Sequence, residues 1–461
     1  MNWQTVLVAV APENLLLAGI VLLLVFEIAS GRTRDGFWLA LVTVLAAAAA
    51  ALLLFVDGYS AAPFPGQFSV APTTSLPKAV MIALTLPVLL LSRDDFRETR
   101  YYVLLLASLY GACLLVSADS FLTLFLGLEI MSLPVYVLVL AAFQRPQCAE
   151  AALKYLVLGG ASTATLLMGA SLLYGSSGSL AISAFGAGLS SSDPLAMAGT
   201  VLVVLALFLK AAVVPFHAWA PDAYEGASVP VTAYMATVVK AAVLLAALRL
   251  FGSEPLSRPL LDLLVVLPLV SMVWGNLAAM RQASFRRMIA YSSIAHAGYL
   301  FYAFLGAGPG RHEAIVFYLV VYGVLNLLAF SALPRATDDV QGDRLDALKG
   351  LFRRQPAAAL LIAVAMLSLA GLPPLPGFTA KFLVFKNVLA AGFTVYAVLG
   401  LVASYLGIYF YLRVIQYMFM DADAAPALHG QPRRLAFAAG VLCLLPTLGL
   451  MLFPGWLLGW L

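Results

Sequence analysis

Apolar residues in this chain form long, nearly unbroken runs, and short polar stretches separate the runs from one another. Residues 38–56 and 119–142 are two such runs, and each is long enough to cross a bilayer as a helix of about 20 residues. The pattern predicts an all-α integral membrane protein with about fourteen transmembrane helices. The predicted spans are 12–29, 38–56, 73–91, 101–117, 119–142, 150–174, 195–217, 228–251, 259–280, 285–306, 312–333, 356–390, 393–419 and 435–457.

The composition strengthens this prediction. Hydrophobic residues make up 63% of the 461 residues and charged residues 10%, whereas about 25% of an average soluble domain is charged. A water-soluble fold is excluded, because it could not hide so much apolar surface. The spans also fill the length of the chain, so no soluble domain is expected.

The cationic residues lie in alternate loops. Loops such as 57–72 and 175–194 contain no Lys or Arg, whereas the intervening loops contain most of them. Cytoplasmic loops are enriched in Lys and Arg, so both termini are expected on the outer side of the membrane. The cytoplasmic set is Arg32, Arg34, Arg93, Arg97, Arg100, Arg145, Arg281, Arg286, Arg287, Arg335, Arg344, Lys349, Arg353, Arg354, Arg433 and Arg434.

Two predicted spans contain helix-breaking residues. Pro215, Pro221 and Pro230 interrupt the seventh and eighth spans, and the segment "AGLPPLPGFTAKFLVF" at 370–385 interrupts the twelfth. Proline removes a backbone donor and clashes with the preceding turn, so we expect non-helical backbone at both places. The alternative is that these prolines only kink packed membrane helices, as is common.

The positions of the breaks indicate an internal repeat. Helices 4–8 and 9–13 are predicted to be two inverted five-helix copies, each broken in its fourth helix, as in many carriers. The predicted divisions are 1–100 for the first three helices, 101–251 and 252–420 for the two repeats, and 421–461 for the last helix.

Two charged residues are predicted to lie near the middle of the bilayer. Glu129 is about ten residues into the fifth span and Lys210 about fifteen residues into the seventh. A charge at that depth costs at least about 2.5–3.5 kcal/mol. We therefore predict that Glu129 and Lys210 are partners.

Four further titratable residues lie within predicted spans. Lys154 is near the cytoplasmic end of the sixth span, and it could instead extend its ammonium group to the membrane surface. Lys240 and Lys381 are too deep for that. His296 is about as deep, and its alternative is a hydrogen-bonded core residue with no role in transport.

Ordered by predicted depth from the cytoplasm, these residues run Lys154, Lys210 with Glu129, Lys240 with His296, and Lys381. Burial lowers the pKa of an ammonium group and a nearby carboxylate raises it again, so lysine suits a proton relay. The chain has no GxGxxG, CxxC or paired histidines on a helix face. We therefore expect no nucleotide, iron–sulfur, haem or other cofactor in this chain, and no nucleic-acid partner.

Four segments resemble a known family: "GLEIMSLPVYVL", "FLKAAVVPFHAWAPDAYEGASVPVTAYMATVVKAAV", "FRRMIAYSSIAHAGYLF" and "SLAGLPPLPGFTAKF". They are similar to the proton-translocating membrane family shared by respiratory complex I and the multi-subunit sodium/proton antiporters. The resemblance extends over nearly the whole chain, from "APENLLLAG" to the last span.

The resemblance implies roles for the candidate residues. Glu129 and Lys210 would form an ion pair that modulates pumping, and Lys154 would lie at the inlet. Lys240 would be the central connection and Lys381 the outlet, with His296 between them. The chain would pack in the lipid bilayer beside homologous subunits, in a complex that uses NADH, FMN, iron–sulfur clusters and a quinone.

Two other functions remain as alternatives. A sodium/proton antiporter subunit would share the same family features. A subunit that only scaffolds the membrane arm would give no reason for several buried lysines, each costing about 2.5 kcal/mol or more.

The predicted orientation is testable with single cysteines at Ser191 and Gln341, in loops expected on opposite faces. A membrane-impermeant thiol reagent added to sealed vesicles should label one position and not the other. Labelling of both from the same face would contradict the orientation and the inverted repeat.

Overall fold

The computed structural model describes residues 3–30, 36–141, 146–252, 256–306, 308–334, 343–421 and 433–461. Regular structure in these residues is helical apart from one two-stranded hairpin. In chain order, the elements are α1 (Trp3–Ala9), α2 (Ala11–Ser30), α3 (Phe37–Val56), β1 (Ala61–Phe64), β2 (Phe68–Val70), α4 (Pro72–Ser92), α5 (Thr99–Val116), α6 (Phe121–Leu140), α7 (Pro146–Ser177), α8 (Ser183–Leu189), α9 (Pro194–Ala211), α10 (Trp219–Gly226), α11 (Val229–Tyr234), a π-helical turn (Met235–Val239), α12 (Lys240–Phe251), α13 (Arg258–Ala279), α14 (Phe285–Tyr302), a 3-10 turn (Ala303–Leu305), α15 (Pro309–Ser331), a second 3-10 turn (Leu345–Leu348), α16 (Leu351–Arg354), α17 (Pro356–Ala370), α18 (Pro376–Ala390), α19 (Thr394–Phe419), α20 (Arg434–Leu452) and α21 (Pro454–Leu458).

Thirteen helical segments in the described part of the chain are long and apolar enough to cross a membrane. They follow the predicted spans in order. The remaining predicted span, 356–390, consists of the two shorter helices α17 and α18. The prediction of an all-α membrane protein with about fourteen spans is therefore confirmed.

Two observed boundaries differ from the predicted ones. The sixth span, predicted at 150–174, is the 32-residue helix α7, which at 1.5 Å per residue is about 48 Å long and exceeds a ~30 Å hydrocarbon core. The seventh span is predicted to reach residue 217, but α9 ends at Ala211. It ends there because the next residue, Ala212, has a left-handed φ of 61°.

The structure describes only part of the cation-rich loops from which the membrane orientation is predicted. Four of their cations lie outside the described residues: Arg32, Arg34, Arg145 and Arg335. Among the described ones, Arg286 is buried. Its guanidinium donates to the Asp343 carboxylate over 2.9 Å and also to the carbonyl oxygen of Ala227. This arrangement neutralises a charge that would otherwise be costly to bury.

The described helices form two compact units. The first contains Met1–Leu89, Arg93–Ala211 and Val238–Leu263. Within it, α7 packs closely on α9 because glycine meets glycine. A Cβ atom built on Gly169 would lie 2.8 Å from the carbonyl oxygen of Gly199, and one built on Gly199 would lie 2.8 Å from that of Gly169. Small residues allow membrane helices to approach in this way.

The hairpin of β1 and β2 belongs to the first unit. Its strands are antiparallel, and Phe64 pairs with Phe68. Phe68 packs in an apolar cluster with Ala9, Leu54 and Val70. The hairpin therefore packs against the ends of α1 and α3, the helices that contain Ala9 and Leu54.

The second unit contains Leu90–Ser92, Ala212–Thr237 and Leu264–Leu461. Its central helix is α15, which packs against α17, α18 and α20. The most apolar 18-residue stretch of Gly310–Ser331 is completely buried. In the corresponding stretch of Phe285–Leu305, 94% of the residues are buried. Side chains on these two segments therefore face protein on all sides, which suits the polar groups on α14.

The glycine contact between α7 and α9 predicts the effect of adding one methyl group. Gly169→Ala should destabilise the protein by about 1–3 kcal/mol, because the methyl group overlaps a backbone oxygen. Gly160→Ala on the same helix is the control, since a Cβ atom there meets nothing within 4 Å. The thermal midpoint of the purified protein should fall for Gly169→Ala alone, and equal midpoints would disprove the packing argument.

Candidate functional site

The backbone adopts the same series of conformations at the two predicted helix breaks. Helix α9 ends at Ala211 and α17 ends at Ala370. The next residue in each case, Ala212 or Gly371, has a positive φ, 61° and 86° respectively. The fourth residue after each helix end is a proline that follows a cis peptide bond. The two breaks therefore correspond position by position.

Each break places the carboxyl end of a half-helix inside the protein. The last carbonyl groups there have no partner within the helix, and the helix dipole gives this end a partial negative charge. Lys210 lies in the last turn of α9. The Lys381 ammonium donates to the carbonyl oxygen of Ala370, the last residue of α17, over 3.0 Å. The ammonium groups of both lysines therefore lie at a helix end whose partial negative charge stabilises cations.

The Lys210 ammonium faces one side of α6. Glu129, Ser132 and Tyr136 are at positions i, i+3 and i+7 of that helix, so they share a face. Lys210 Nζ is 3.2 Å from the Ser132 hydroxyl, 3.4 Å from the Tyr136 hydroxyl and 3.7 Å from Glu129 Oε1. The predicted partners therefore do form an ion pair, but a loose one, because 3.7 Å is too long for a good hydrogen bond.

A hydroxyl group from α7 binds the Glu129 carboxylate. Thr163 Oγ1 donates to Glu129 Oε1 over 2.5 Å. The side chain of Lys210 is 6% exposed and that of Glu129 is 22% exposed. The ammonium thus has hydroxyl partners beside its carboxylate, and a small movement would tighten or loosen the pair.

Lys240 is buried at the start of α12, directly after the π-helical turn Met235–Val239. It lies within the continuous apolar segment Val229–Phe251, as the sequence predicts. π-helical turns are rare and often occur at functional sites. The role of Lys240 as a central connection stays a prediction.

Lys154 lies on the outside of the first unit. Its Nζ is 2.7 Å from Glu150 Oε1, one turn earlier on α7, and its side chain is 45% exposed. This placement agrees with the alternative in which Lys154 extends to the membrane surface. Its role as an inlet stays a prediction.

Lys381 has three described partners in the second unit. Besides the carbonyl oxygen of Ala370, its ammonium donates to the Ser404 hydroxyl over 3.0 Å and lies 5.1 Å from the ring centroid of Tyr299. An ammonium over an aromatic ring is attracted by the ring's negative face. The site therefore holds a buried cation with dipoles and a ring, and no carboxylate is among these partners.

His296 has a tyrosine hydroxyl at each ring nitrogen. Its Nδ1 is 2.8 Å from Tyr318 Oη and its Nε2 is 3.0 Å from Tyr411 Oη. Tyr411 Oη continues to Ser292 Oγ over 2.5 Å. Hydroxyl groups both donate and accept, so either tautomer of the imidazole fits without rotation of the ring.

Tyr299 connects the surroundings of His296 and Lys381. Its ring centroid is 5.5 Å from that of His296, and Lys381 Nζ lies over the same ring. The predicted site residues His296 and Lys381 therefore both lie beside the ring of Tyr299 in the second unit. His296 is hydrogen-bonded in the core, as the alternative prediction of a core histidine requires. It also belongs to the cluster around Tyr299.

The tyrosines are the part of the site that sequence reasoning missed. A signal was present for Tyr299, because it follows His296 by three residues, a spacing that shares a helix face. A second missed feature is a buried ion pair between Glu13 and Lys78. Lys78 is a charge inside an apolar run, which is the same signal that identified Lys210.

The loop after the first break is fixed by ion pairs. Arg287 Nη1 lies 2.7 Å from Asp222 and 3.0 Å from Glu225. His217 Nε2 accepts a hydrogen bond from the Trp274 indole over 2.9 Å. These contacts hold the loop against α13 and α14. In the described residues, no group of three or more His, Cys, Asp or Glu side chains could hold a metal ion.

Residues 118–407 match the family described as NADH:quinone oxidoreductase/Mrp antiporter, transmembrane. This segment is more than half of the chain and includes all six predicted site residues. The chain belongs to this family.

Relatives and solved structures agree with the family match. The NADH-quinone oxidoreductase subunit N of Pelobacter propionicus is 39% identical over 413 residues, which cover 89% of each protein. That of Granulibacter bethesdensis is 36% identical over 455 residues, covering 95% of this chain and 94% of the relative. A chain in respiratory complex I from Thermus thermophilus with bound aureothin has a TM-score of 0.83 at 36% identity, covering 97% and 98% of the two chains.

A chain in the Mrp complex from Dietzia sp. has a TM-score of 0.85 at 24% identity, covering 100% of this chain and 96% of that one. At this identity the likeness shows a shared fold. The "PDAYEGA" segment at 221–227 and Lys381 predict subunit N among the members of the NADH:quinone oxidoreductase/Mrp antiporter family. The curated relatives carry that name, so this prediction is confirmed and the oxidoreductase interpretation is favoured over the antiporter.

The close approach at the second break gives a testable prediction for this family member. A Cβ atom on Gly371 would lie 2.9 Å from Lys381 Cδ and 3.2 Å from its Nζ. Gly371→Ala should therefore displace the ammonium from the carbonyl of Ala370 and lower proton transport several-fold. Its left-handed φ adds about 1–2 kcal/mol of backbone cost.

Gly392→Ala is the matched control, because its φ of 88° carries the same backbone cost but a Cβ atom there meets nothing within 4 Å. Proton transport should be measured for both variants in vesicles that contain the assembled complex. Equal transport by the two variants would show that the position of Lys381 does not matter.

Proposed function

We propose that this chain is a proton-translocating membrane-arm subunit of an NADH-quinone oxidoreductase, and that its protons move through buried lysine, glutamate and histidine side chains. Quinone reduction in other subunits of the complex supplies the energy. The observation that supports the proposal most strongly is the loose pair of Lys210 and Glu129. Its ammonium is nearer to two hydroxyl groups than to the carboxylate.

A loose pair of this kind suits proton transfer. When the ammonium approaches Glu129, the carboxylate stabilises its positive charge and the proton is held. When it moves toward the hydroxyl groups of Ser132 and Tyr136, that stabilisation weakens and the proton can leave. In the structure, Lys210 Nζ is 3.2 Å from the Ser132 hydroxyl and 3.7 Å from Glu129 Oε1, so the ammonium is within reach of both kinds of partner.

In the second unit, His296, its two tyrosine partners and Lys381 form a cluster suited to the later steps of proton transfer. The proton would pass between His296 and its two tyrosine hydroxyl groups, and Lys381 would hold it at the second break. The hydroxyl groups of Tyr318 and Tyr411 serve because each can accept a proton on one lone pair while releasing another. Lys154 as inlet and Lys240 as the connection complete the proposed order.

The proposal also covers the surroundings of the chain. Its neighbours are homologous subunits and other subunits of the membrane arm, and both of its termini lie on the outer side of a bacterial inner membrane. NADH, FMN, iron–sulfur clusters and a quinone are bound by other subunits. We propose the divisions 1–100, 101–251, 252–420 and 421–461, with the middle two as inverted repeats, and the matched helix breaks support this repeat.

One purification tests the assignment against the antiporter alternative. The complex isolated through a tag on this chain should show flavin and iron–sulfur absorbance. In sealed vesicles it should move protons when NADH and a quinone are added. A complex without these cofactors that exchanges sodium for protons would overturn the assignment.

A further inference from the structure

A second buried ion pair lies in the first unit, away from the six candidate residues. Lys78 Nζ is 2.5 Å from Glu13 Oε1, and their side chains are 2% and 3% exposed. Glu13 is in the first turn of α2 and Lys78 is in the second turn of α4. Both residues lie outside the segment 118–407 that matches the family.

The pair is near the end of the helices where the hairpin lies. Glu13 is the third residue of α2, and the hairpin leads directly into α4. The other end of α2 is seventeen residues beyond Glu13, or about 26 Å at 1.5 Å per residue. The nearer aqueous phase is therefore the one on the hairpin side.

Aromatic and apolar residues close the site toward that phase. The ring of Phe68 on β2 lies 4.7 Å from Lys78 Nζ. Phe68 in turn packs with Ala9, Leu54 and Val70. The pair is thus close to one face of the membrane but separated from bulk water by a thin apolar layer.

Two buried oxygen atoms here have no hydrogen-bond partner among the residues that the structure describes. They are Glu13 Oε2 and the hydroxyl Oγ of Ser75, one turn before Lys78 on α4. An unsatisfied buried polar group costs about 1–3 kcal/mol, and more if it is charged. Buried water commonly satisfies such atoms, making about three hydrogen bonds. Carboxylate, hydroxyl and ammonium groups all bond water, and Ser75 lies on the same helix face as Lys78 because it precedes it by three residues.

Other titratable groups that face the pair come from α5. Tyr110 and Cys113, at i and i+3, are within electrostatic range of Glu13, and Cys113 is also within range of Lys78. In the described surroundings no second carboxylate pairs with Lys78. Glu13 is thus the acid whose protonation would change the charge of the site.

We propose that Glu13 and Lys78, with Ser75, form a hydrated proton-binding site that exchanges its proton with the aqueous phase on the hairpin side. Glu13 Oε1 accepts from the Lys78 ammonium, so Oε2 is the oxygen that takes up the proton. An O–H bond forms at Oε2, a hydronium ion becomes water, Lys78 stays an ammonium, and the charge of the site rises from 0 to +1. Release reverses each step. The site does not depend on the relay through Lys210.

A purely structural pair is the competing explanation. Breaking a buried ion pair is destabilising, but a buried pair is weak support for stability because its charges must be desolvated. The two explanations differ in whether Glu13 ever takes up a proton.

Infrared difference spectroscopy on the reconstituted complex distinguishes them. The pH is changed on one side of sealed vesicles, and the C=O stretch of a protonated carboxyl group is followed. A band should respond to the pH on the hairpin side, and Glu13→Gln should abolish it. Glu27→Gln is the control on the same helix, because Glu27 pairs with the exposed Arg100. This variant should keep the band.

Ser75→Ala tests the site if Glu13→Gln does not assemble. It keeps the ion pair but removes the hydroxyl group that the proposed water would bind, so the carboxyl band should move to higher frequency. The proposal is wrong if the band survives Glu13→Gln, follows the pH on the opposite side, or stays unmoved in Ser75→Ala. None of these results would affect the assignment of the relay, which Lys210 variants test separately.

Discussion

The desolvation of buried lysines is the constraint on which the rest of this structure depends. An ammonium group in the hydrocarbon region costs at least about 2.5 kcal/mol, so each one needs a local environment that replaces water. At Lys210 that environment is a carboxylate and two hydroxyl groups, and at Lys381 it is a carbonyl oxygen, a hydroxyl group and a ring. Both environments are built at the end of an interrupted helix.

The interruptions explain how a membrane helix offers polar groups in its middle. A continuous helix satisfies all of its backbone groups internally and leaves nothing for a cation. Ending α9 at Ala211 and α17 at Ala370 exposes carbonyl groups and a negative helix end at those places. Close packing at glycine contacts such as Gly169 with Gly199 keeps the supporting helices near enough to hold the partners.

The sequence predicted the spans, the breaks and the pairing of Glu129 with Lys210, because these follow from hydropathy, proline and the cost of buried charge. It did not predict which hydroxyl groups surround the lysines. For Ser132 and Tyr136 a signal was present in their helical spacing from Glu129, whereas Ser404 comes from a distant segment whose packing sets the contact. The left-handed Ala212 was also missed, because alanine gives no sign of such a conformation. Lys78 lies inside the predicted span 73–91 and carried the same signal as Lys210, but nothing in the sequence joins it to Glu13, which is 65 residues away.

Replacement of Lys210 by arginine tests the central claim most directly. Arginine keeps the positive charge and can still bind Glu129, but it does not release its proton at any accessible pH. The complex with Lys210→Arg should assemble and pump far fewer protons per electron than the wild type in sealed vesicles. Lys386→Arg, at an exposed position on α18, should pump normally. A wild-type ratio for Lys210→Arg would make Lys210 a structural counter-ion and contradict the account.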